Sequence, residues 1–372
     1  MLQRLYINNF RCLENFDLPV KELSSVLLIG KNGSGKSSIR FALEVLQKIG
    51  RGINRVRDLV KHKDFGWERS QIPIRLEIEV LLAGQMYKYV LALELPEKFK
   101  ELRVLDEQLL ISGIPHYTRE GPQVTLYKTM RNVEAKFLVD WHLVALPVIQ
   151  AESGSDPLNI FKTWLAQMLL LAPIPSLMKG DSTGETLEPD SAGLNFGEWF
   201  TGVLGQYPAA YTQIDKYLRE IIPDIQDIQN EVMSKDSKSL SVNFEANQAT
   251  MRVNFEDISD GEKCFFICAV VLAANKSYGP LFCFWDEPDN YLSLPEVGHF
   301  IIALRRAFRD GAQIFMTSHN PEAIRKFSDE NTLVLFRDSH LDPTRSRFIS
   351  DFVASGELQG DLVNALMLGD IL

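Results

Sequence analysis

The chain has 372 residues, 45% of them hydrophobic and 24% charged, enough to bury a sizeable core and too apolar for a disordered or fibrous protein. Its 39 Lys and Arg against 49 Asp and Glu give a net charge of -10, which excludes a global basic field, so any DNA contact has to be local. The first residues lack the charged head and apolar block of a secretion signal, and the longest apolar run, Phe265 to Ala274, is about half a membrane span; a cytoplasmic chain with no membrane segment is expected.

In chain order, Leu5 to Phe10 and Phe16 to Leu18 alternate as the two strands of a hairpin. Val26 to Ile29 is a buried strand that meets a glycine-rich turn, after which Ser38 to Ile49 has helical periodicity and ends at Gly50. Ile74 to Val80 and Tyr87 to Leu93 alternate with period two around Ala83-Gly84-Gln85, a second hairpin. From about Asn159 the pattern turns helical: Phe161 to Leu170 is halted before Pro173, and Tyr211 to Ile222 is stopped by Pro223. Trp199 to Leu204 forms a helix between them, after a polar loop over Lys179 to Gly193. Strand-like alternation returns at Val242 to Phe244 and Met251 to Phe255. This predicts an α/β lobe over 1–150, a helical insertion over 151–245 and a second α/β lobe over 246–372, with no heptad run for a long coiled coil. Cys12, Cys264, Cys268 and Cys283 form no Cys-x-x-Cys pair and read as reduced thiols.

Gly30-Lys31-Asn32-Gly33-Ser34-Gly35-Lys36-Ser37 is a full Walker A match between a predicted strand and a predicted helix. Gly30, Gly33 and Gly35 let the backbone curl so that successive N–H groups point at phosphate oxygens, with the helix N-terminus adding partial positive charge. Asn32, Ser34 and Ser38 belong to the same ATP-binding stretch, Lys36 should hold the β- and γ-phosphates, and the Ser37 hydroxyl suits Mg²⁺, which takes hard oxygen ligands.

Leu281 to Trp285 is a fully apolar run that ends in Asp286-Glu287-Pro288, the way a buried parallel strand delivers carboxylates to the edge of its sheet. Asp286 would serve the magnesium, and Glu287 would orient and deprotonate the attacking water. Ser259-Asp260-Gly261-Glu262 precedes an apolar helix as a capping box, and its serine and glycine also make an anion site at a helix N-terminus. Gln313 to Ser318 is another apolar strand with a polar tip, where His319 could meet a γ-phosphate.

In their order these segments resemble the Walker A, signature, Walker B, D-loop and switch-histidine motifs of ABC-type ATPase heads. With the opening Leu2-x-x-Leu5-x-Ile7-x-Asn9-Phe10-Arg11 and the run Asp286-Glu287-Pro288-Asp289-Asn290-Tyr291-Leu292, the chain looks like the RecF/SMC-related and OLD-like ATPases of DNA repair and phage defence. The resemblance implies an α/β P-loop NTPase, an ABC-type head with two lobes and an inserted helical subdomain. It implies that ATP and Mg²⁺ are bound in a homodimer with composite sites. Ser259 and Gly261 would then touch the γ-phosphate held by the opposite subunit, His319 would be the switch histidine, Asn290 to Ser293 the D-loop, Arg11 a nucleotide neighbour, and Gln150 a Q-loop glutamine near the metal. Two departures stand out: Asp260 replaces the glycine of the transporter signature, and Ser293 replaces a frequent D-loop aspartate.

A transporter subunit does not fit the long span from Ser37 to Ser259. The expected function is an ATP-driven sensor or regulator of a bacterial anti-phage system; the alternative is a RecF-like DNA-repair clamp. OLD-like relatives carry a nuclease module after the ATPase, and the short stretch after His319 predicts that the effector, a nuclease among the candidates, is separately encoded. Arg51, Arg55, Arg57, Lys61, His62 and Lys63 form the one basic cluster, suited either to DNA phosphates or to a plainly solvated face.

Overall fold

The computed structural model describes residues 1–129 and 132–356. The chain forms two compact units, one of Met1–Met168 with the described residues from Asp329 onward, the other of Leu169–Ser328. These borders differ from the expected ones at 150 and 245, and the part of the third expected segment past residue 356 lies outside the described residues.

The first unit contains an antiparallel sheet of eight strands among the described residues. The hairpin of Leu2–Asn8 and Phe16–Pro19 pairs Leu5 with Leu18, and Leu2–Asn8 also pairs with Ile74–Leu82. Along Ile74–Leu82 the residues Ile74, Leu76, Ile78 and Val80 are buried, while Arg75, Glu77 and Glu79 line the other face. There Arg4 and Lys88 bridge Glu77 and Glu79, an opposite-charge ladder that suits the half-solvated face of a sheet. The second predicted hairpin is present as Ile74–Leu82 with Gln85–Glu94, and the sheet continues through Arg103–Ile111, Ile114–Glu120, Gln123–Thr129 and Asn132–Leu138. These last four strands were not anticipated.

A second, smaller set of strands carries the glycine-rich turn. Ser25–Ile29, buried throughout, pairs in parallel with Thr332–Phe336, which pairs antiparallel with Arg345–Phe348. After the turn, the helix Lys36–Gly50 buries Ile39, Ala42, Leu43, Leu46 and Ile49 at helical spacing. It packs against the helix Pro157–Ala166, whose N-cap Asp156 accepts from Leu158 N at 2.8 Å. Arg51, just past the first helix, donates to the Ala166 carbonyl at 3.1 Å and ties the two helix ends together.

The second unit holds three parallel strands, Leu169–Leu171, Phe282–Trp285 and Gln313–Thr317, all fully buried. The expected helical insertion is therefore mixed. It carries the helices Pro157–Ala166, Phe196–Gln206 and Ala210–Ile221, but also Leu169–Leu171 and the antiparallel strands Ile225–Ser234 and Ser237–Ala246, which Ala249–Asn254 extends. Met168 to Leu171 is apolar on every position, so periodicity cannot tell a buried strand from a continuing helix, and pairing with Phe282–Trp285 decides for strand. The helix Asp260–Tyr278 is buried from Lys263 to Val271 without a break, as befits a helix wrapped on all sides. All four cysteines are free, and burial pushes the Cys264 and Cys268 thiols up to about 12. No helix among the described residues is long and apolar enough to cross a membrane.

One buried polar cluster organises the large sheet. Glu107 Oε1 accepts from the Tyr89 hydroxyl at 3.1 Å, the Tyr117 hydroxyl at 2.8 Å and Leu146 N at 2.8 Å, and its Oε2 accepts from Ala145 N at 2.7 Å and Arg119 at 3.4 Å. Arg119 also donates to the carbonyls of Gly121, Asp140 and Leu143. Burial, with the Glu107 charge beside them, raises both tyrosine hydroxyls well above their ordinary 10. Glu107→Leu leaves a buried guanidinium, two hydroxyls and two amides without their acceptor. It is expected to lower unfolding stability by about 3–5 kcal/mol; an unchanged midpoint in denaturant would refute the role given to this carboxylate.

Candidate functional site

In the first unit the strand Ser25–Ile29 runs into the turn 30–35, and the helix starts at Lys36. The turn needs its glycines for two reasons. Gly35 is the N-cap at φ +103°, a left-handed conformation that other side chains resist. A Cβ on Gly30 would lie 2.2 Å from the Leu335 carbonyl oxygen, so the neighbouring strand admits only glycine there. Lys36, 6% exposed, curls back over the turn, and its Nζ donates to the carbonyls of Gly30 at 2.7 Å and Lys31 at 3.3 Å. Asn32 and Ser37 are exposed, Ser38 lies 3.4 Å from the Cys12 thiol, and the buried Ser34 hydroxyl has no hydrogen-bond partner among the described residues. Exposed Ser37 with a lysine and a row of amides is a donor set for a polyphosphate and its magnesium.

Arg11, at φ +55°, lies beside this helix: its guanidinium stacks over Phe41 at 3.8 Å and pairs with Asp64 at 3.0 Å. Gln150 is exposed and lines a pocket with His116, Tyr127 and Glu134; none of the residues lining that pocket belongs to the phosphate loop. The basic cluster is split. Arg51 is engaged with Ala166, as described, whereas Arg55, Arg57, His62 and Lys63 are exposed and Lys61 donates to the Arg57 carbonyl.

In the second unit two parallel strands end side by side, Trp285 in register with Met316. Asp286, Glu287, Ser318 and His319 follow directly at these carboxyl ends, where parallel sheets present their ligand sites. Thr317 bridges the two tips: its hydroxyl donates to Asp286 Oδ1 at 2.6 Å and accepts from Glu287 N at 2.9 Å. Glu287 sits at φ +51°, a strained conformation for a residue with a side chain. Its Oε2 accepts from Asn290 Nδ2 at 2.6 Å, and its Oε1 lies 3.5 Å from His319 Nε2. The carboxylate is thus held between an amide and an imidazole, with its side chain 35% exposed.

Ser259 caps Asp260–Tyr278 as expected: its hydroxyl accepts from Glu262 N at 3.2 Å and donates to Glu262 Oε2 at 2.7 Å. A Cβ on Gly261 would lie 3.0 Å from the Tyr291 carbonyl, which brings the signature turn against the Asn290 to Ser293 segment. Sequence reasoning missed Thr317, Asn290 as a partner of Glu287, and Asp289; the polar tip Thr317-Ser318 at the end of an apolar strand was the signal available for the first.

A glycine turn between strand and helix in one unit, and paired acidic and histidine strand tips beside a capped signature helix in the other, define a P-loop ATPase head of the ABC type. Residues 1–111 match a family model described as an AAA ATPase domain, and residues 181–325 one described as an AAA domain, putative AbiEii toxin, Type IV TA system. The fold is similar to that of an SmcHead bound to the C-winged helix domain of ScpA, with a TM-score of 0.57, 14% identity, and 95% of this chain and 99% of that one covered. It is also similar to an Smc head domain with an extended coiled coil bound to the C-terminal domain of ScpA derived from Pyrococcus furiosus, with a TM-score of 0.50, 12% identity, and 96% and 98% covered. A stretch of 46 residues is 46% identical to the OLD nuclease of Thermus scotoductus, spanning 12% of this chain and 8% of that protein. The chain has the fold of an ABC-type ATPase head, and two separate stretches of it are like AAA ATPase domains.

Asp289, 4% exposed, accepts from the Ser318 hydroxyl at 2.8 Å through one oxygen, while the other is buried with no hydrogen-bond partner among the described residues. Burial, with the Glu287 charge adding to it, holds this carboxyl above its ordinary 3.8. Folding therefore favours the protonated form, and the ionised carboxylate costs stability increasingly as pH rises through the window above 3.8. Asp289→Asn keeps an acceptor for Ser318 and removes the charge. It is expected to raise the melting temperature near pH 7, with an advantage that shrinks as pH is lowered towards about 4; a variant less stable than the wild type at pH 7 would sink this account.

Proposed function

We propose that this chain is a magnesium-dependent ATP hydrolase that closes as a homodimer around ATP, and that its nucleotide state controls a separately encoded effector in bacterial defence. The observation that carries the reading is Glu287: a carboxylate at a strand end next to Asp286, held by Asn290 at 2.6 Å and facing His319 at 3.5 Å, in a chain that also has the complete phosphate loop. Lys36 exchanges its two carbonyl partners for the β- and γ-phosphates, and the loop amides and Ser34 add donors to the same oxygens. Ser37 and Asp286 are the residues that would hold Mg²⁺ through hard oxygen ligands, and the ion would supply charge neutralisation on the phosphates. Glu287 orients the attacking water and takes its proton, and His319 fixes the carboxylate and faces the γ-phosphate. Arg11 lies beside the phosphate-loop helix and adds positive charge near the nucleotide. Ser259, whose hydroxyl is turned to Glu262, swaps that partner for the γ-phosphate of the opposite subunit, with Gly261 allowing the approach.

The defence reading draws support from the matched model described as a putative AbiEii toxin and from the short likeness to an OLD nuclease. The repair-clamp alternative draws on the exposed cations Arg55, Arg57 and Lys63, near Lys61, which suit a DNA backbone. The test is the size and ATPase rate of wild type and Glu287→Gln, with and without Mg-ATP and double-stranded DNA. Glu287→Gln is expected to lower turnover by about 10²- to 10⁴-fold while trapping an ATP-bound dimer, and Ser259→Arg to stay monomeric. Monomeric Glu287→Gln at saturating ATP would contradict the scheme. Stimulation of the wild-type rate by DNA selects the clamp, and indifference to DNA favours the partner-controlling regulator.

A further inference from the structure

The strand Thr332–Phe336 is followed by a loop, 337–344, that returns across the phosphate loop within the first unit. Its far end is fixed: Thr344, 2% exposed, donates its hydroxyl to the Ser34 carbonyl at 2.8 Å and its amide to the Cys12 carbonyl at 2.9 Å. Its middle is fixed as well. The Trp67 indole donates to the His340 carbonyl at 3.0 Å, and Ser339 bonds Asp342 at 2.6 Å while accepting from Leu341 N at 3.1 Å. These anchors set two side chains over Gly33: a Cβ there would lie 3.2 Å from Arg337 Nη2 and 3.6 Å from His340 Nε2. A Cβ on Gly35 would meet the Thr344 hydroxyl at 2.7 Å.

A guanidinium has donors and no acceptor, and the amides of the phosphate loop are donors too. Two donor sets that face one another are complementary to an acceptor they can share, and the half-buried Arg337 has the planar fork that matches phosphate oxygens. We propose that Arg337, with His340 beside it, is a further nucleotide-binding residue: its guanidinium donates to phosphate oxygens of the triphosphate held on the phosphate loop. The inference rests on the reading that this loop binds ATP.

Equilibrium binding of Mg-ATP and Mg-GTP to the full-length wild type and to Lys36→Ala, Arg337→Ala, Arg337→Lys and His340→Ala separates the two claims. Arg337→Ala is expected to weaken both nucleotides by about tenfold or more, with the ATP to GTP ratio unchanged and part of the loss recovered in Arg337→Lys. His340→Ala should lose less, and melting temperatures should match the wild type. Wild-type affinity, or tighter binding, in Arg337→Ala while Lys36→Ala has lost ATP overturns the proposal and spares the ATP reading. A loss confined to ATP overturns it by placing Arg337 on the base. A wild type that does not bind Mg-ATP overturns both.

Discussion

A strand buried on both faces has no place for a polar side chain until it ends, and this constraint sets where the chemistry of the molecule can lie. Ser25–Ile29, Phe282–Trp285 and Gln313–Thr317 are buried at every position. Each is followed at once by polar residues: the phosphate loop, Asp286 with Glu287, and Ser318 with His319. Strands packed on both faces leave little freedom to the backbone of the first residue beyond them, which suits the general-base role proposed for Glu287. The strained Glu287 backbone is tolerated because Thr317, on the adjacent strand, accepts its amide.

The same constraint explains what was legible in the sequence. Apolar runs closed by Gly-Lys-Asn-Gly or Asp-Glu-Pro announce both the strand and its tip, so the phosphate loop, the acidic pair and the histidine follow from local pattern alone. Leu169–Leu171 obeys the rule of burial but not of length: three apolar residues after a helix carry no period, and the strand exists only because Phe282–Trp285 is there to pair with it. The strands between Arg103 and Leu138 were hidden for the opposite reason. Their outward positions mix charged and polar residues with exposed apolar ones such as Leu105, Ile114 and Val133, and their inward ones include Glu107 and Arg119, which read as surface until the tyrosines and amides that enclose them are known. A buried ion pair of this kind is costly to desolvate and is retained only with every donor and acceptor met. Here it fastens Asp140 to Leu146 to the sheet, a task no periodicity reveals.

Partners brought together from distant parts of the chain were the other gap. Thr317 with Asp286, Asn290 with Glu287 and Ser318 with Asp289 form one network across two strand tips, although each residue alone is an ordinary polar residue. Asn320 N, bonded to the Ser318 hydroxyl at 2.9 Å, carries that network into the cap of the helix Pro321–Arg325. A shift of the Asp289 side chain breaks its bond to Ser318, the residue just before His319.

The binding groups are also satisfied within the chain. Lys36 is bonded to two carbonyls and Ser259 to Glu262. A ligand that takes these groups exchanges one hydrogen bond for another, and such exchanges yield only about 0.5–1.5 kcal/mol each. Affinity on that basis requires many donors that converge on one polyanion. In the scheme proposed above, discrimination between triphosphate and diphosphate would depend on the exchange at Ser259, whose hydroxyl is held by Glu262 at 2.7 Å. The serine would leave that partner only for a stronger acceptor, such as a doubly charged γ-phosphate, and loss of the phosphate would return it to its cap, so that the capping box would compete with the nucleotide and favour release.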